Sequence, residues 1–310
     1  MSAGRAVVFA YHDVGVRCLK VLLSAKMEVP LVVTVRDDPK ENRWFASVAD
    51  TAREYALPLA MPDDAKGAEL AARVAQLEPD FIFSFYYRSM LGAPILRCAR
   101  RGALNMHGSL LPKYRGRAPV NWAILNGERE TGATLHYMVE RADAGDIVDQ
   151  LAVPILEDDD AREVFGKVTA AAEIVLARSL PGLIAGNAPR RPQRIEPGQY
   201  FGRRGPEDGR IDWSQPAVRI HDLVRAVAPP FPGAFTDVEG RRWWIHRTRV
   251  EPGFSAPAPE RAKLLGKHGH CYAACRDGGV LRILAAATGE GPIDLARMSH
   301  ELEARPTDLG

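Results

Sequence analysis

Short apolar runs alternate with longer amphipathic stretches over the first two-thirds of the chain. The runs Ala6–Tyr11, Val29–Val35, Leu57–Met61, Asp80–Phe85 and Ala103–His107 are brief and rich in β-branched and aromatic residues, so they predict strands. Between them, Val16–Ala25, Arg43–Tyr55, Ala68–Leu77 and Ala93–Arg100 carry apolar positions at helical spacing. Strand and helix alternating at this pitch predict βαβ units: an α/β fold with a doubly wound, mostly parallel, Rossmann-like sheet. Two more strand-like runs follow, Thr134–Val139 and Val148–Ile155, then a long helical segment, Ala161–Ala185, that stops at Gly186-Asn187. From 188 to 209 the periodicity disappears and Pro, Arg and Gly dominate, which reads as a linker. Beyond it lie a helix-like run (Ala217–Val227), a turn cluster (Pro229–Gly233) and strand-like runs at Arg241–Val250, around Tyr272 and at Leu281–Ala286. The expected organisation is therefore a sheet domain over 1–187, a linker over 188–209 and a small β-rich, barrel-like domain over 210–310.

Composition changes this picture little. At 310 residues, with 46% hydrophobic and 26% charged side chains, the chain suits two globular cores. A net charge of +2 gives no support for a polyanion binder. No run of consecutive apolar residues approaches the roughly 18 needed to span a bilayer, and the N-terminus has no secretory apolar region, so a cytoplasmic protein without a membrane partner is expected. Cys18 and Cys98 sit in helix-like segments as small hydrophobes. Cys271 and Cys275, with His268 and His270 just before them, lack a second ligand pair at zinc spacing, so no metal site is expected.

The candidate chemistry lies at 105–145. Asn105 and His107 are two apart, so on a strand they share a face. A loop rich in Gly, Pro and Arg follows, and Asp143 arrives on a second loop. An amide donor, an imidazole and a carboxylate suffice for acyl transfer to an amine without metal or covalent intermediate. His107 would take the proton, Asp143 would hold its orientation and favour its charged form, and Asn105 would offer an N–H to a developing oxyanion. The plain alternative is a satisfied core histidine and a turn-forming asparagine. Other chemistries lack their motifs. The first strand–turn, Phe9–Gly15, has one glycine and no dinucleotide fingerprint, and there is neither a phosphate-cradling loop with its lysine nor a Gly-x-Ser-x-Gly elbow.

The whole stretch Ala-Leu-Asn-Met-His-Gly-Ser-Leu-Leu-Pro-Lys-Tyr-Arg-Gly-Arg-Ala-Pro, with Ala-Asp-Ala-Gly-Asp after it, resembles the core motif of the formyltransferases that use 10-formyltetrahydrofolate. The resemblance implies that Asn105, His107 and Asp143 are the catalytic residues and that the amine attacks the formyl carbon directly. It also implies a folate site at Ser89, Met90 and Leu91 after the fourth strand, at Val139, Glu140, Arg141 and Ala142 before the catalytic acid, and at Arg117.

Within that family, Gly108, Lys113–Arg117, Asn121-Trp122, Val8–Asp13, Tyr200–Arg204 and Ile211–Trp213 are similar to the UDP-4-amino-4-deoxy-L-arabinose formyltransferases. This implies formylation of the sugar 4-amine, in lipid A modification and cationic-peptide resistance. Methionyl-tRNA and other nucleotide-linked amino sugars are the rival acceptors. From Gly205 to Gly310 there are 14 basic and 14 acidic side chains, a balance that favours a nucleotide sugar over a nucleic acid. Arg203 and Arg204 could meet a diphosphate, although solvated linker arginines are the plainer reading. The familiar bifunctional relatives carry a second half that oxidatively decarboxylates UDP-glucuronic acid. No second dinucleotide fingerprint occurs here, so a stand-alone enzyme without NAD is expected. Its assembly, as a homo-oligomer or with a separate UDP-glucuronic acid decarboxylase, is left open by the resemblance.

Overall fold

The computed structural model describes residues 4–39, 41–198, 200–252 and 258–309. The described chain divides into two compact units. The first gathers residues up to 119, 130–154 and 166–202, and the second gathers 120–129, 155–165 and the chain from 203 onward.

In chain order the first unit carries β1 (Arg5–Ala10), β2 (Glu28–Val33), β3 (Leu59–Ala60), β4 (Phe81–Phe85), β5 (Gly102–His107), a two-residue β6 (Arg115–Gly116), β7 (Glu130–Tyr137), β8 (Ile147–Pro154) and a two-residue β9 (Tyr200–Phe201). Seven of these form one sheet in the order β3-β2-β1-β4-β5-β7-β8, while β6 pairs with β9. The β1–β5 pairings are parallel, and β7 and β8 join antiparallel, so the sheet is mixed but dominated by parallel strands. The strand order reverses between β1 and β4, which opens the crevice where such sheets bind ligands. β5 lies one strand beyond that crevice.

Helices α1 (His12–Ser24), α2 (Val48–Glu54), α3 (Ala68–Gln76) and α4 (Ala93–Leu96) return the chain between parallel strands. Alternate strand residues Val7, Phe9, Leu31, Val33 and Ile82 form one buried cluster with Leu70 and Val74 of α3 and Ile95 of α4. Each such side chain contributes about 1.5–3 kcal/mol by leaving water. The helix expected over 43–55 starts only at Val48, because Ser47 caps it: its Oγ accepts the Asp50 N–H at 3.1 Å. The strand expected at 134–139 begins earlier, at Glu130, since pairing with β8 extends its ladder.

Two helices pass from one unit to the other along the chain, α5 (Pro119–Leu125) and α6 (Ala161–Ala185). By length and composition alone α6 is apolar enough to cross a membrane. Its apolar residues are not consecutive. Val164, Val168, Ala172, Val175 and Leu176 recur at helical spacing and are buried, as in a core helix.

The second unit holds α7 (Ala217–Ala226), strands β10 (Ala234–Val238), β11 (Arg241–Val250), β12 (Lys263–Lys267), β13 (His270–Ala274), β14 (Val280–Thr288) and β15 (Gly291–Pro292), helix α8 (Leu295–Ala304) and β16 (Thr307–Asp308). Its strands build one curled antiparallel sheet, β10-β11-β14-β13-β12-β16, with β15 beside β14. Cys271 and Cys275 are buried and unbridged, with the Cys271 thiol against the Leu295 carbonyl. Helix α8 escapes a reading by apolar runs, yet Asp294 marks its start by accepting the N–H groups of Ala296 and Arg297.

Candidate active site

β5 ends at His107, so its two polar residues stand at the carboxyl end of a buried strand. The antiparallel register of β7 sets His136 directly beside Asn105. Asp143 returns from the loop after β7 and reaches all three. Its Oδ1 lies 3.6 Å from His107 Nδ1, 3.6 Å from His136 Nε2 and 3.5 Å from Asn105 Nδ2. Its Oδ2 accepts the Gly116 backbone N–H at 2.9 Å. His136 carries no motif and escapes a reading by pattern. The signal for it is the one ionisable side chain between Glu130 and Tyr137 of β7.

The imidazole tautomers follow from their backbone neighbours. His107 Nε2 lies 2.8 Å from the Tyr114 carbonyl, which can only accept, so Nε2 carries the proton and Nδ1 faces Asp143. His136 Nδ1 likewise donates to the Tyr137 carbonyl at 2.8 Å, and its Nε2 receives Asn105 Nδ2 at 3.2 Å. Asn105 thus directs its N–H groups at His136 and Asp143. Burial works against charge on Asp143, but the two histidines and the Gly116 N–H outweigh it and hold the carboxyl below the usual carboxylate range. The outcome is a buried carboxylate with an adjacent imidazole nitrogen that can take a proton.

Four consecutive loop residues hold this pair. The Tyr114 carbonyl accepts from His107, and Arg115 donates through Nε (3.2 Å) and Nη2 (2.6 Å) to the Ala142 carbonyl. The Gly116 N–H meets Asp143, and the Arg117 N–H meets the Phe201 carbonyl at 3.0 Å. Tyr114 (φ +56°) and Asp143 (φ +50°) both sit in the left-handed region, at about 1–2 kcal/mol each. Strain of this kind persists only where surrounding contacts overdetermine it.

Ser89, Met90 and Leu91 lie on the loop after β4, with Ser89 and Met90 exposed and Leu91 packed on the core cluster. Val139, Glu140 and Arg141 are exposed, whereas Ala142 is half-buried against Arg115. Met90 and Val139 are large apolar side chains left 49% and 46% exposed, as suits a flat, partly apolar ligand. Arg117 is exposed on the loop after β6.

At the β1/β4 crevice the structure adds an aromatic group that motif reasoning leaves aside. His12 stacks on Phe45 (4.0 Å between ring centres) and meets Trp44 edge-on (4.7 Å). Burial and the nearby Arg88 push His12 down to about 3, so it is a neutral ring. Motif segments far apart in sequence also meet. Tyr114 packs on Phe201 with ring centres 4.9 Å apart, and the Arg204 guanidinium lies 4.9 Å over the Trp122 ring. The Arg204 Nε is buried without a hydrogen-bond partner.

Known proteins resemble this chain in sequence and in fold. Residues 7–180 match the family model described as formyl transferase, and 204–296 match that of the formyl transferase C-terminal domain. Among solved structures, an N-formyltransferase from Helicobacter canadensis in complex with folinic acid and dTDP-3-aminofucose is similar at 20% identity and a TM-score of 0.70, covering 91% of this chain and 99% of its own. A 4-N formyltransferase from Francisella tularensis is similar at 20% identity and 0.63, over 78% and 96% of the two chains. Glycinamide ribonucleotide transformylase 1 from Symbiobacterium toebii follows at 23% identity and 0.53, over 62% and 94%. At these identities the structural likeness establishes the fold.

Proposed function

This chain belongs to the formyl transferase family, and on that premise we propose that it moves a formyl group from 10-formyltetrahydrofolate to the 4-amine of UDP-4-amino-4-deoxy-L-arabinose. The observation that carries the reaction is the buried His107–Asp143 pair, with Nδ1 of His107 turned to the carboxylate. The folate supplies the formyl carbon. Met90, Leu91 and Val139 offer it apolar surface, with Ser89, Arg117, Glu140, Arg141 and Ala142 around them.

His107 Nδ1 takes the proton that the amine sheds as its nitrogen bonds to the formyl carbon, and Asp143 balances the resulting imidazolium. The same proton then passes to the folate nitrogen as its bond to the formyl carbon breaks, so no charge is left over. Asn105 donates to the formyl oxygen as that oxygen gains charge. Its 3.5 Å contact to Asp143 is the weaker of its two and is the donor available for this.

Support for a nucleotide-sugar acceptor comes from the segment Tyr200–Arg204. It carries the motif residues similar to the arabinose enzymes, and its Arg204 holds a buried donor suited to a diphosphate oxygen. The Helicobacter canadensis neighbour, a complex with a folate and an amino-sugar nucleotide, supports the same class. The proposed product belongs to lipid A modification and cationic-peptide resistance.

The test is mass spectrometry of products made by purified protein and 10-formyltetrahydrofolate, with the UDP-amino sugar and methionyl-tRNA in parallel. A mass increase of one formyl group on the UDP-sugar alone is expected. Formylated methionyl-tRNA, or reaction only with another nucleotide amino sugar, would reassign the acceptor.

A further inference from the structure

The stretch after α6 reads from sequence as a linker, yet its contacts converge on the candidate active site. Arg191 and Ile147 exchange backbone hydrogen bonds of 2.8 and 3.0 Å, which anchors the segment at the start of β8. Two residues on, the Gln193 side chain donates from Nε2 to the carbonyls of Asp143 (3.1 Å) and Gly145 (2.6 Å). One amide thus ties both ends of the turn that presents the Asp143 carboxylate. Further along, β9 pairs in parallel with β6, placing Phe201 beside Gly116 and Tyr200 beside Arg115.

This second contact bears on both halves of the pair. The Phe201 ring packs on Tyr114, whose carbonyl accepts from His107. The Phe201 carbonyl accepts from Arg117, the residue after the Gly116 N–H that meets Asp143. The fit requires glycine at 116, which has φ +101°. A Cβ there would lie 2.3 Å from the Phe201 carbonyl oxygen.

We propose that Gln193 and Phe201, on the stretch that follows α6, clamp the active site as positioning residues. Gln193 fixes the backbone of the Asp143 turn, and Phe201 fixes the Tyr114–Gly116 backbone that orients His107 and Asp143. Neither touches the reacting atoms. The proposal rests on the reading of His107 and Asp143 as the catalytic pair. Its physical ground is that Tyr114 and Asp143 hold left-handed backbone conformations, which relax unless outside contacts pin them.

The test uses the full chain with Gln193→Ala, Phe201→Ala and the conservative Phe201→Tyr. Small misplacement of a catalytic group costs rate more than affinity, so both alanine variants should lose about tenfold or more in kcat. KM for amine and folate donor should stay within about twofold, and Phe201→Tyr should recover most of the rate. Imidazole nitrogen NMR gives a readout that needs no substrate. The intact protein should show His107 as the Nε2–H tautomer, and Phe201→Ala should show a mixture.

Unchanged kcat in both alanine variants, or a lowered Tm with unchanged kcat and unchanged imidazole signals, would overturn the clamp. If Phe201→Ala fails to fold, Gln193→Ala carries the test, since it removes one half-buried amide. If no sugar amine is formylated by the unmodified protein, the acceptor reading fails while the NMR comparison still decides the clamp.

Discussion

Replacing Asp143 by Asn removes one charge while keeping side-chain volume and an oxygen for the Gly116 N–H. The carboxylate oxygen sits 3.6 Å from His107 Nδ1, and the Asp143 side chain is 15% exposed. At an effective dielectric near 20, an imidazolium and a carboxylate at that separation attract by about 4–5 kcal/mol, an upper bound for the pair. The attraction is at work once His107 has taken the amine's proton, so it grows along the reaction. If half to most of it is felt at the transition state, the barrier rises by about 2–4 kcal/mol, and kcat falls roughly 30- to 1,000-fold. The assay is steady-state formyl transfer with both substrates varied, alongside thermal unfolding to show that the variant is folded. An interaction made only as charge develops lowers kcat and kcat/KM together. A kcat within threefold of the parent, or a loss confined to KM, would refute the reasoning.

The same carboxylate makes stability depend on pH. Its value in the folded protein lies below the ordinary 3.8, so its contribution is present above 3.8 and is lost as pH falls through the folded value. The unfolding free-energy gap between parent and Asp143→Asn should be level above about pH 5 and narrow below about pH 4, as read by urea melts. Gly108→Ala should destabilise by about 1–3 kcal/mol in the same melts. The new methyl would fall 1.7 Å from the buried Tyr86 hydroxyl oxygen, at the end of a rigid ring. In the second unit, Arg225 donates to Asp222 at 2.7 and 3.0 Å with both side chains buried. Arg225→Met should therefore cost about 3–5 kcal/mol in chemical denaturation, because it strands Asp222, and adding Asp222→Leu should recover most of it.

Periodicity placed each parallel strand of the first sheet within two residues of its observed ends, because a strand buried on both faces must be an apolar run. Helix ends were read less well. Capping by Ser47 or Asp294 is a hydrogen bond that apolar spacing does not report. At the site, the motif singled out Asn105, His107 and Asp143, and the fold brings their side chains to one point. His136 was not legible, since only the register of β7 against β5 sets it beside Asn105. Gln193 was illegible for a related reason, and the resemblance that marked Tyr200–Arg204 did not show that Phe201 meets Tyr114. Composition shows that 188–209 lacks apolar periodicity, but not what its side chains touch.

Apolar patterning was enough to specify an α/β sheet domain and a β-rich second domain, because it depends on neighbours in the chain at spacings of two to four residues. The formyl-transfer motif was legible by resemblance to a known family. Which histidine nitrogen faces the carboxylate, what holds Asp143 in a left-handed turn, and that a linker-like segment grips the catalytic loop were decided by tertiary structure alone. Each depends on a hydrogen bond or ring contact spanning from 7 to 87 residues of chain. Such contacts exist only after the sheet has brought distant backbone within about 3 Å.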